Sequence, residues 1–225
     1  MEELQKKSIQ GFVFLIFLMV LLLFLPAGSF RFWQGWVYIV VSTICTLLIT
    51  VYLMRHDLRL LASRVEAGPA AERTKSQRII QAAAGILFMS MLVVPGLDYR
   101  FHWSSIPPTV SLIADLFVAL SFVIIFLVFR ENSFASATIE VVQGQKVIRT
   151  GPYAIVRHPM YSGAIVLFLS SPLALGSWFA FICSALLIVV LVARLLDEEK
   201  YLAAHLPGYA EYRREVRFRL MPYIW

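Results

Sequence analysis

The chain has 225 residues, of which 60% are hydrophobic and only 15% charged. This composition excludes an ordinary soluble domain, because long apolar runs are what a lipid bilayer demands of each spanning segment. The formal net charge of +6 would suit nucleic acid, but the cations are distributed as membrane topology requires, so we expect no nucleic-acid partner. Cys45 and Cys183 both lie in apolar runs, which predicts small buried side chains and no disulfide framework.

Six apolar stretches predict an all-α integral membrane protein with about six transmembrane helices. They cover residues 9–25, 33–54, 79–94, 109–129, 160–171 and 176–196. The first is long enough for a signal sequence, but a Pro-Ala-Gly turn leads at once to a second span, which favours an anchored helix. The fifth reaches only about 20 Å as a helix, against a hydrocarbon core of about 30 Å. We therefore expect it to be the short arm of a helical hairpin with the sixth.

The distribution of Lys and Arg predicts the orientation. In a six-span arrangement eighteen of the twenty lie on one side, and only Arg31 and Arg100 lie on the other. The positive-inside rule then places both termini in the cytoplasm. Within this pattern we expect residues 55–78 to form a solvated loop, with a basic amphipathic helix broken at Gly68-Pro69 as the alternative. Four tryptophans lie at predicted span ends, where indole rings favour the interface: Trp33, Trp36, Trp103 and Trp178.

Polar residues concentrate after the fourth span, in RENSFASATIEVVQGQKVIRTGPYAIVRHPMYSG. Two β-prone stretches flank Gln143-Gly144-Gln145, and prolines 152 and 159 are expected to hold Gly151 and His158 in extended conformations. Such a constrained backbone would present its polar groups, with Tyr153, His158 and Tyr161, to a ligand; the alternative is an ordered loop that caps a helix. No nucleotide-binding, metal-spaced or serine-hydrolase motif occurs in the sequence, so we expect no metal.

The last span ends in ARLLDEEKYL, where Arg194 and Glu198 share one helical face. Three acidic residues at a helix C-terminus oppose the macrodipole, which indicates a cationic ligand; the alternative is an ion pair with a snorkelling arginine. The tail that follows mixes arginines with aromatic residues and predicts an amphipathic helix lying on anionic headgroups. For Asp115 we expect snorkelling or a role at the helix start, with an ion path as the alternative.

The segment GPYAIVRHPMYSG, followed by ARLLDEEKYL and then by Gly208 and Tyr212, resembles the isoprenylcysteine carboxyl methyltransferases over about residues 130–220. Related membrane methyltransferases that act on phospholipid amines or small thiols share much of this pattern. The resemblance implies a methyltransferase core at residues 130–225, preceded by N-terminal transmembrane helices at 1–129. It implies S-adenosylmethionine contacts from Gln143, Gln145, Lys146, Val147, Ile148, Tyr153, His158, Pro159, Met160, Tyr161 and Glu198, and a substrate-facing role for Arg194.

The resemblance implies methyl transfer from cytoplasmic S-adenosylmethionine to a lipophilic acceptor taken from the bilayer. A carboxylate acceptor is favoured because Arg194 suits an anion, and such an acceptor needs no base. The alternatives are N-methylation of a phospholipid amine or S-methylation of a thiol, which would need a base such as Glu198 or His158. The hypotheses outside the enzyme class are a catalytically silent membrane scaffold and a transporter.

Overall fold

A computed structural model describes residues 2–65, 68–72 and 74–225 of the chain. The helices are α1 Glu2–Ala27, α2 Trp33–His56, α3 Leu58–Val65, α4 Lys75–Phe101, α5 Pro108–Glu131, α6 Pro159–Ala174, α7 Ala180–His205 and α8 Tyr209–Glu215. Five are long and apolar enough to cross a membrane, and α6 is a shorter apolar helix. No strand occurs in the described ranges. The all-α membrane fold is therefore confirmed, and Arg73, one of the cations used to predict the orientation, lies outside the described residues.

The six apolar helices pack as neighbours in a bundle, with α1 on α4, α2 on α5 and α4 on α7. Helix α6 packs mainly on α5 and turns back into α7 at Gly176, whose φ of +72° suits glycine. Its 16 residues span only about 24 Å. This is the predicted short arm, and it places the residues just before α6 at the polar end of the bundle.

Helix α4 extends beyond its predicted bounds at both ends. It begins at Lys75, where the Thr74 hydroxyl accepts a hydrogen bond from the Gln77 amide at 3.3 Å. It then continues through Pro95 to Phe101, because the kinked region is held against α1. A Cβ at Gly96 would lie only 2.5 Å from the Leu23 carbonyl oxygen. Close backbone approach therefore keeps the helix intact beyond the predicted end at residue 94.

Residues 58–65 form helix α3, so the expected solvated loop is wrong there and the amphipathic-helix alternative is right. Leu60 and Leu61 are buried against Leu53, Val128 and Phe129. The helix ends at Val65, and a 3-10 turn covers Pro69–Ala71, close to the predicted break. Burial of two leucines on one face explains why a segment with this many charges is ordered.

The tail departs from the predicted surface helix. Helix α8 has only seven residues, and its Tyr209 and Tyr212 are buried in an apolar cluster with Leu206. The residues after α8 are irregular and bond back to the loop before α6, where the Arg157 amide donates to the Phe218 carbonyl at 2.9 Å. The tail is thus part of the protein core at this end.

Asp115 does not snorkel. It lies about two turns from the start of α5 with 4% of its surface exposed, and neither carboxylate oxygen has a hydrogen-bond partner among the described residues. Asp98, which the sequence did not single out, accepts bonds from Ser104 and Ser177 and joins two connecting loops at the opposite end of the bundle. Both cysteines are free and half-buried.

Candidate cofactor and substrate site

A cavity lies where the polar segment after α5 meets the ends of α6 and α7 and the start of α8. It encloses about 770 Å³ of space between protein atoms, part of it open to solvent. Its wall is formed by three parts of the chain: the loop 132–148, the turn and helix start at 153–161, and the α7–α8 region from Glu198 to Tyr212. Distant sequence segments therefore build one site, as the motif order suggested.

Ten of the eleven residues predicted to contact the cofactor line this cavity. They are Gln145, Lys146, Val147, Ile148, Tyr153, His158, Pro159, Met160, Tyr161 and Glu198. Gln143 is exposed on the turn beside Gly144 and is not part of the wall. Arg194 is also absent from the wall. The structure thus brings the predicted set together without these two, and their binding roles remain predictions.

The segment with two β-prone stretches is extended but does not form a ladder. The Gln145 amide donates to the Val142 carbonyl at 3.0 Å, and the Gln145 side-chain oxygen accepts from the Val142 amide at 3.0 Å. These two bonds close the turn around Gly144, whose φ is +79°. Residues 145–148 are thereby turned toward the cavity, where they leave backbone groups available to a ligand.

Tyr153 is fixed by bonds at both of its ends. Its hydroxyl accepts a bond from Asn132 at 2.8 Å, and its carbonyl accepts one from the Tyr212 hydroxyl at 2.7 Å. Burial, reinforced by the charge of Glu198, raises the pKa of Tyr153 to about 12, so the hydroxyl is neutral. A rigid, neutral aromatic ring is a suitable wall for an adenine or a sulfonium.

Gly151 begins the 3-10 turn that carries Tyr153, and its conformation differs from the extended one predicted. Its φ is +57°, a left-handed value that glycine adopts without strain. The carboxylate of Glu131 accepts a bond from Thr150 and lies 3.0 Å from the position of a Cβ at Gly151. The restriction that Pro152 imposes on its predecessor is overridden because glycine lacks a Cβ.

Glu199 joins the loop before α6 to the tail. Its side chain is 4% exposed and accepts bonds from Arg157 at 2.7 Å and Arg219 at 2.9 Å, and the His158 Nε2 lies 3.3 Å away. Arg157 also donates to the carbonyls of Val216 and Arg217, both at 2.9 Å. This buried cluster orients His158, which the sequence singled out, through Glu199, which it did not.

Glu198, which directly precedes Glu199 on α7, lines the cavity. The Tyr161 hydroxyl donates to its Oε2 at 2.5 Å. The ion pair between Arg194 and Glu198, which was the alternative for this helix end, does not form; each side chain has other partners. Asp197 accepts a bond from Gln77 at 2.5 Å and is not part of the cavity wall. The three consecutive acidic residues Asp197, Glu198 and Glu199 therefore have different partners.

Arg194 is held by a network beside the cavity. Its Nη2 forms an ion pair with Glu72 at 2.7 Å and donates to the Ala137 carbonyl at 2.8 Å, while Nη1 donates to Gln77 at 2.9 Å. Glu72 is buried, and Gln81 also donates to it. The positive charge that favoured a carboxylate substrate is therefore already balanced by the protein.

The residues of the cavity fit S-adenosylmethionine, which presents a sulfonium, an amino group and a carboxylate to its site. Glu198 offers a carboxylate to an ammonium group, either that of the cofactor or that of a substrate, and Tyr153 and Tyr161 can contact the sulfonium or the adenine. The backbone of residues 145–148 and the His158 ring offer donors for the carboxylate. Both signs of charge and an aromatic wall are present, which is what this cofactor requires.

The long apolar helices make this a multi-pass integral membrane protein, and comparison with known proteins makes it a methyltransferase that uses S-adenosylmethionine. Residues 110–207, from the first turn of α5 to the residue before Gly208, match the model of the phospholipid methyltransferase family. The matched region contains most of the cavity wall, including Tyr153, His158 and Glu198. No curated protein matches the chain.

The match does not name the isoprenylcysteine enzymes, so it supports the broader class and favours the phospholipid alternative over carboxyl methylation. Sequence reasoning missed three residues that organise the site, namely Glu72, Gln77 and Asn132, and it counted Glu199 only among the three acidic residues at the end of the last span. Glu72 was visible as an acid within a basic stretch. Its pairing with α7 was not, because the partners are far apart in the chain.

Proposed function

We propose that this membrane methyltransferase acts on the amino headgroup of a membrane phospholipid. The family match supports a phospholipid acceptor. The observation that carries the choice is the Glu198–Tyr161 pair on the cavity wall, at 2.5 Å. A carboxylate in this position attracts an ammonium group, and Arg194 is already engaged by Glu72 rather than offered to an acidic substrate.

An amine attacks a methyl group only after it has lost its proton. Glu198 is placed to accept that proton, and the Tyr161 hydroxyl stabilises the carboxylate by its hydrogen bond. S-adenosylmethionine, when bound, supplies the electrophilic methyl group on a sulfonium sulfur. The chain's own contribution is then to position the amine, remove its proton and exclude water, with Tyr153, His158 and Met160 in the surrounding wall.

The proposal includes the orientation and the division of the chain. Both termini and the cavity face the cytoplasm, as the positive-inside pattern predicts, so the soluble cofactor reaches the site from that side. Residues 130–225 form the methyltransferase core, and residues 1–129 anchor it and face the lipid. Gln143 would contact the cofactor only after the turn at Gly144 moves toward the cavity.

Carboxyl O-methylation of an isoprenylcysteine is the second candidate, because the motif GPYAIVRHPMYSG and the Arg194–Glu198 pair of positions resemble that family. It requires Arg194 to release Glu72 and bind the substrate. The two functions predict different methylated products, so an assay that offers the phospholipid and the isoprenylcysteine together distinguishes them.

The test is to reconstitute the purified protein in vesicles containing phosphatidylethanolamine and an isoprenylcysteine, and to add S-adenosylmethionine with a labelled methyl group. We expect the label on the phospholipid amine, identified by mass spectrometry of the lipid extract. Label found only in an alkali-labile methyl ester would overturn the proposal in favour of the second candidate.

Variants of the Glu198–Tyr161 pair test the mechanism. Glu198→Gln should lower kcat by about a hundredfold or more, the range seen for lost general bases, and Tyr161→Phe should have a smaller effect. Glu211→Gln, which changes an exposed carboxylate on α8, is the control and should leave kcat unchanged. Binding of S-adenosylhomocysteine should survive in Glu198→Gln; its loss would assign Glu198 to the cofactor instead.

A further inference from the structure

A second, larger opening lies beside the cofactor cavity, and most of its lining residues are outside the region that matches the family. It is a groove with a volume of about 1050 Å³, which includes its open side. Residues of α1, α2, α3 and α5 line it. Most of its wall is apolar, with Phe12, Leu53 and Phe129 among the lining side chains. Five of its lining side chains are polar, namely Lys7, Ser8, Thr46, Thr50 and Arg64.

Arg64 is a half-buried cation that has no carboxylate partner among the described residues. Its Nη1 donates to the Ser136 carbonyl at 3.2 Å and its Nη2 lies 3.0 Å from the Met160 sulfur. The guanidinium also stacks over the Phe129 ring, 4.6 Å from its centre. Burial lowers the pKa of Arg64 to about 10, so the group is still charged at neutral pH.

A partly buried charge is costly unless an anion compensates it. Neither a carbonyl nor a thioether supplies a negative charge, so the hydrogen-bond partners of Arg64 are neutral; the charge of Glu198 attracts it without forming an ion pair. By contrast, the neighbouring Arg194 has Glu72 at 2.7 Å. The difference points to an anion that arrives from outside the protein.

Ser8 gives an independent sign of a ligand at the same place. It is 6% exposed, lines the groove, and its hydroxyl has no hydrogen-bond partner among the described residues. Lys7 lies at the mouth, where it forms only an exposed pair with Glu3 at 3.2 Å. Exposed pairs of this kind contribute little and exchange readily. Two cations and an unsatisfied hydroxyl above apolar walls are the donors that a phosphate with acyl chains requires.

We propose that this groove binds the acceptor phospholipid, with Arg64, Lys7 and Ser8 holding the phosphate and the apolar walls of α1, α2 and α5 holding an acyl chain. The inference rests on the proposed function for the identity of the lipid. Arg64 contacts Ser136 and Met160, and both residues also line the cofactor cavity. A headgroup held at Arg64 therefore extends its amine across this shared wall toward Glu198.

The test measures lipid binding separately from turnover. Detergent-purified protein is titrated with dioleoyl phosphatidylethanolamine or with dioleoylglycerol, which lacks the phosphate, and bound lipid is counted by native mass spectrometry. We expect the phospholipid to bind wild type at least tenfold more tightly than dioleoylglycerol. Arg64→Gln should weaken phospholipid binding about tenfold or more, the effect of losing a charge-assisted hydrogen bond. Arg55→Gln, which removes an exposed cation from the neighbouring end of α2, is the matched control.

Ser8→Leu provides a second route, since it fills the phosphate end of the groove without removing a charge, and it should also weaken binding. In turnover assays both variants should raise KM for the phospholipid with little change in kcat or in S-adenosylhomocysteine affinity. The inference is overturned if both variants bind phospholipid as wild type does, or if dioleoylglycerol binds equally well. It is also overturned if Arg64→Gln weakens only S-adenosylhomocysteine. Phospholipid binding that depends on Arg64 without methylation would support the groove and refute the proposed function.

Discussion

Arg194 on α7 and Glu72 before α4 form a buried ion pair, with the Arg194 Nη2 and the Glu72 Oε1 2.7 Å apart. The pair joins the two halves of the chain beside the cofactor cavity. Because Gln77 bonds to both Arg194 and Asp197, the start of α4 is locked to the end of α7. The pair therefore positions the wall that carries Glu198 as well as compensating Arg194.

Glu72→Gln should destabilise the protein by about 3–5 kcal/mol, because it leaves a buried arginine uncompensated. The check is unfolding in mixed micelles, followed by circular dichroism. Glu211→Gln, at an exposed position of α8, is the control and should have almost no effect. Equal stability of the two variants would mean that Arg194 does not depend on Glu72.

Glu199→Gln should loosen the tail from the loop before α6, since Glu199 contacts Arg157, His158 and Arg219. We expect about tenfold weaker binding of S-adenosylhomocysteine, equivalent to about 1.4 kcal/mol, together with a lower melting temperature. Glu215→Gln breaks the exposed pair with Arg149 at 2.7 Å and should cost at most about 1 kcal/mol. Calorimetry on both variants decides; undiminished binding in Glu199→Gln would contradict a positioning role for this cluster.

Two aspartates within the bundle should respond in opposite ways to replacement by asparagine. Asp98→Asn should cost about 1–3 kcal/mol, because Asp98 accepts bonds from Ser104 and Ser177 that an amide cannot reproduce in full. Asp115→Asn should leave stability unchanged or raise it, since neither Asp115 oxygen has a partner within the described part of the chain. Thermal unfolding of the two variants tests this, and a large loss in Asp115→Asn would reveal a bound partner.

Gly151→Ala should weaken cofactor binding more than Gly144→Ala. Both glycines have positive φ, so both substitutions introduce backbone strain of about 1–3 kcal/mol. Only at Gly151 does the new Cβ meet a neighbour, the Glu131 carboxyl at 3.0 Å; nothing lies within 4 Å at Gly144. The comparison uses S-adenosylhomocysteine titration, and equal affinities would show that the turn before Tyr153 tolerates displacement.

The positions of the apolar helices were predictable because lipid imposes one simple requirement, a long run of apolar residues with internal backbone bonding. The predicted bounds of α4 were less accurate. Pro95 in the sequence indicates that the helix ends there, whereas the contact of Gly96 with α1 that holds the helix together arises only in the folded protein. Helix α3 was given only as the alternative for a similar reason: its charges suggested solvent, while burial of Leu60 and Leu61 depends on α2 and α5.

By itself, the sequence determined the membrane class and the six apolar helices, because composition is a property of the chain. The ten predicted residues that line the cavity came from the resemblance that the motifs carry. Only the tertiary structure decided which charges are compensated. It paired Arg194 with Glu72 and Glu199 with Arg157 and Arg219, and it left Arg64 without a carboxylate among the described residues. Ion pairs act over a few ångströms in space, so residues far apart in the chain acquire or lose a partner only when the helices pack.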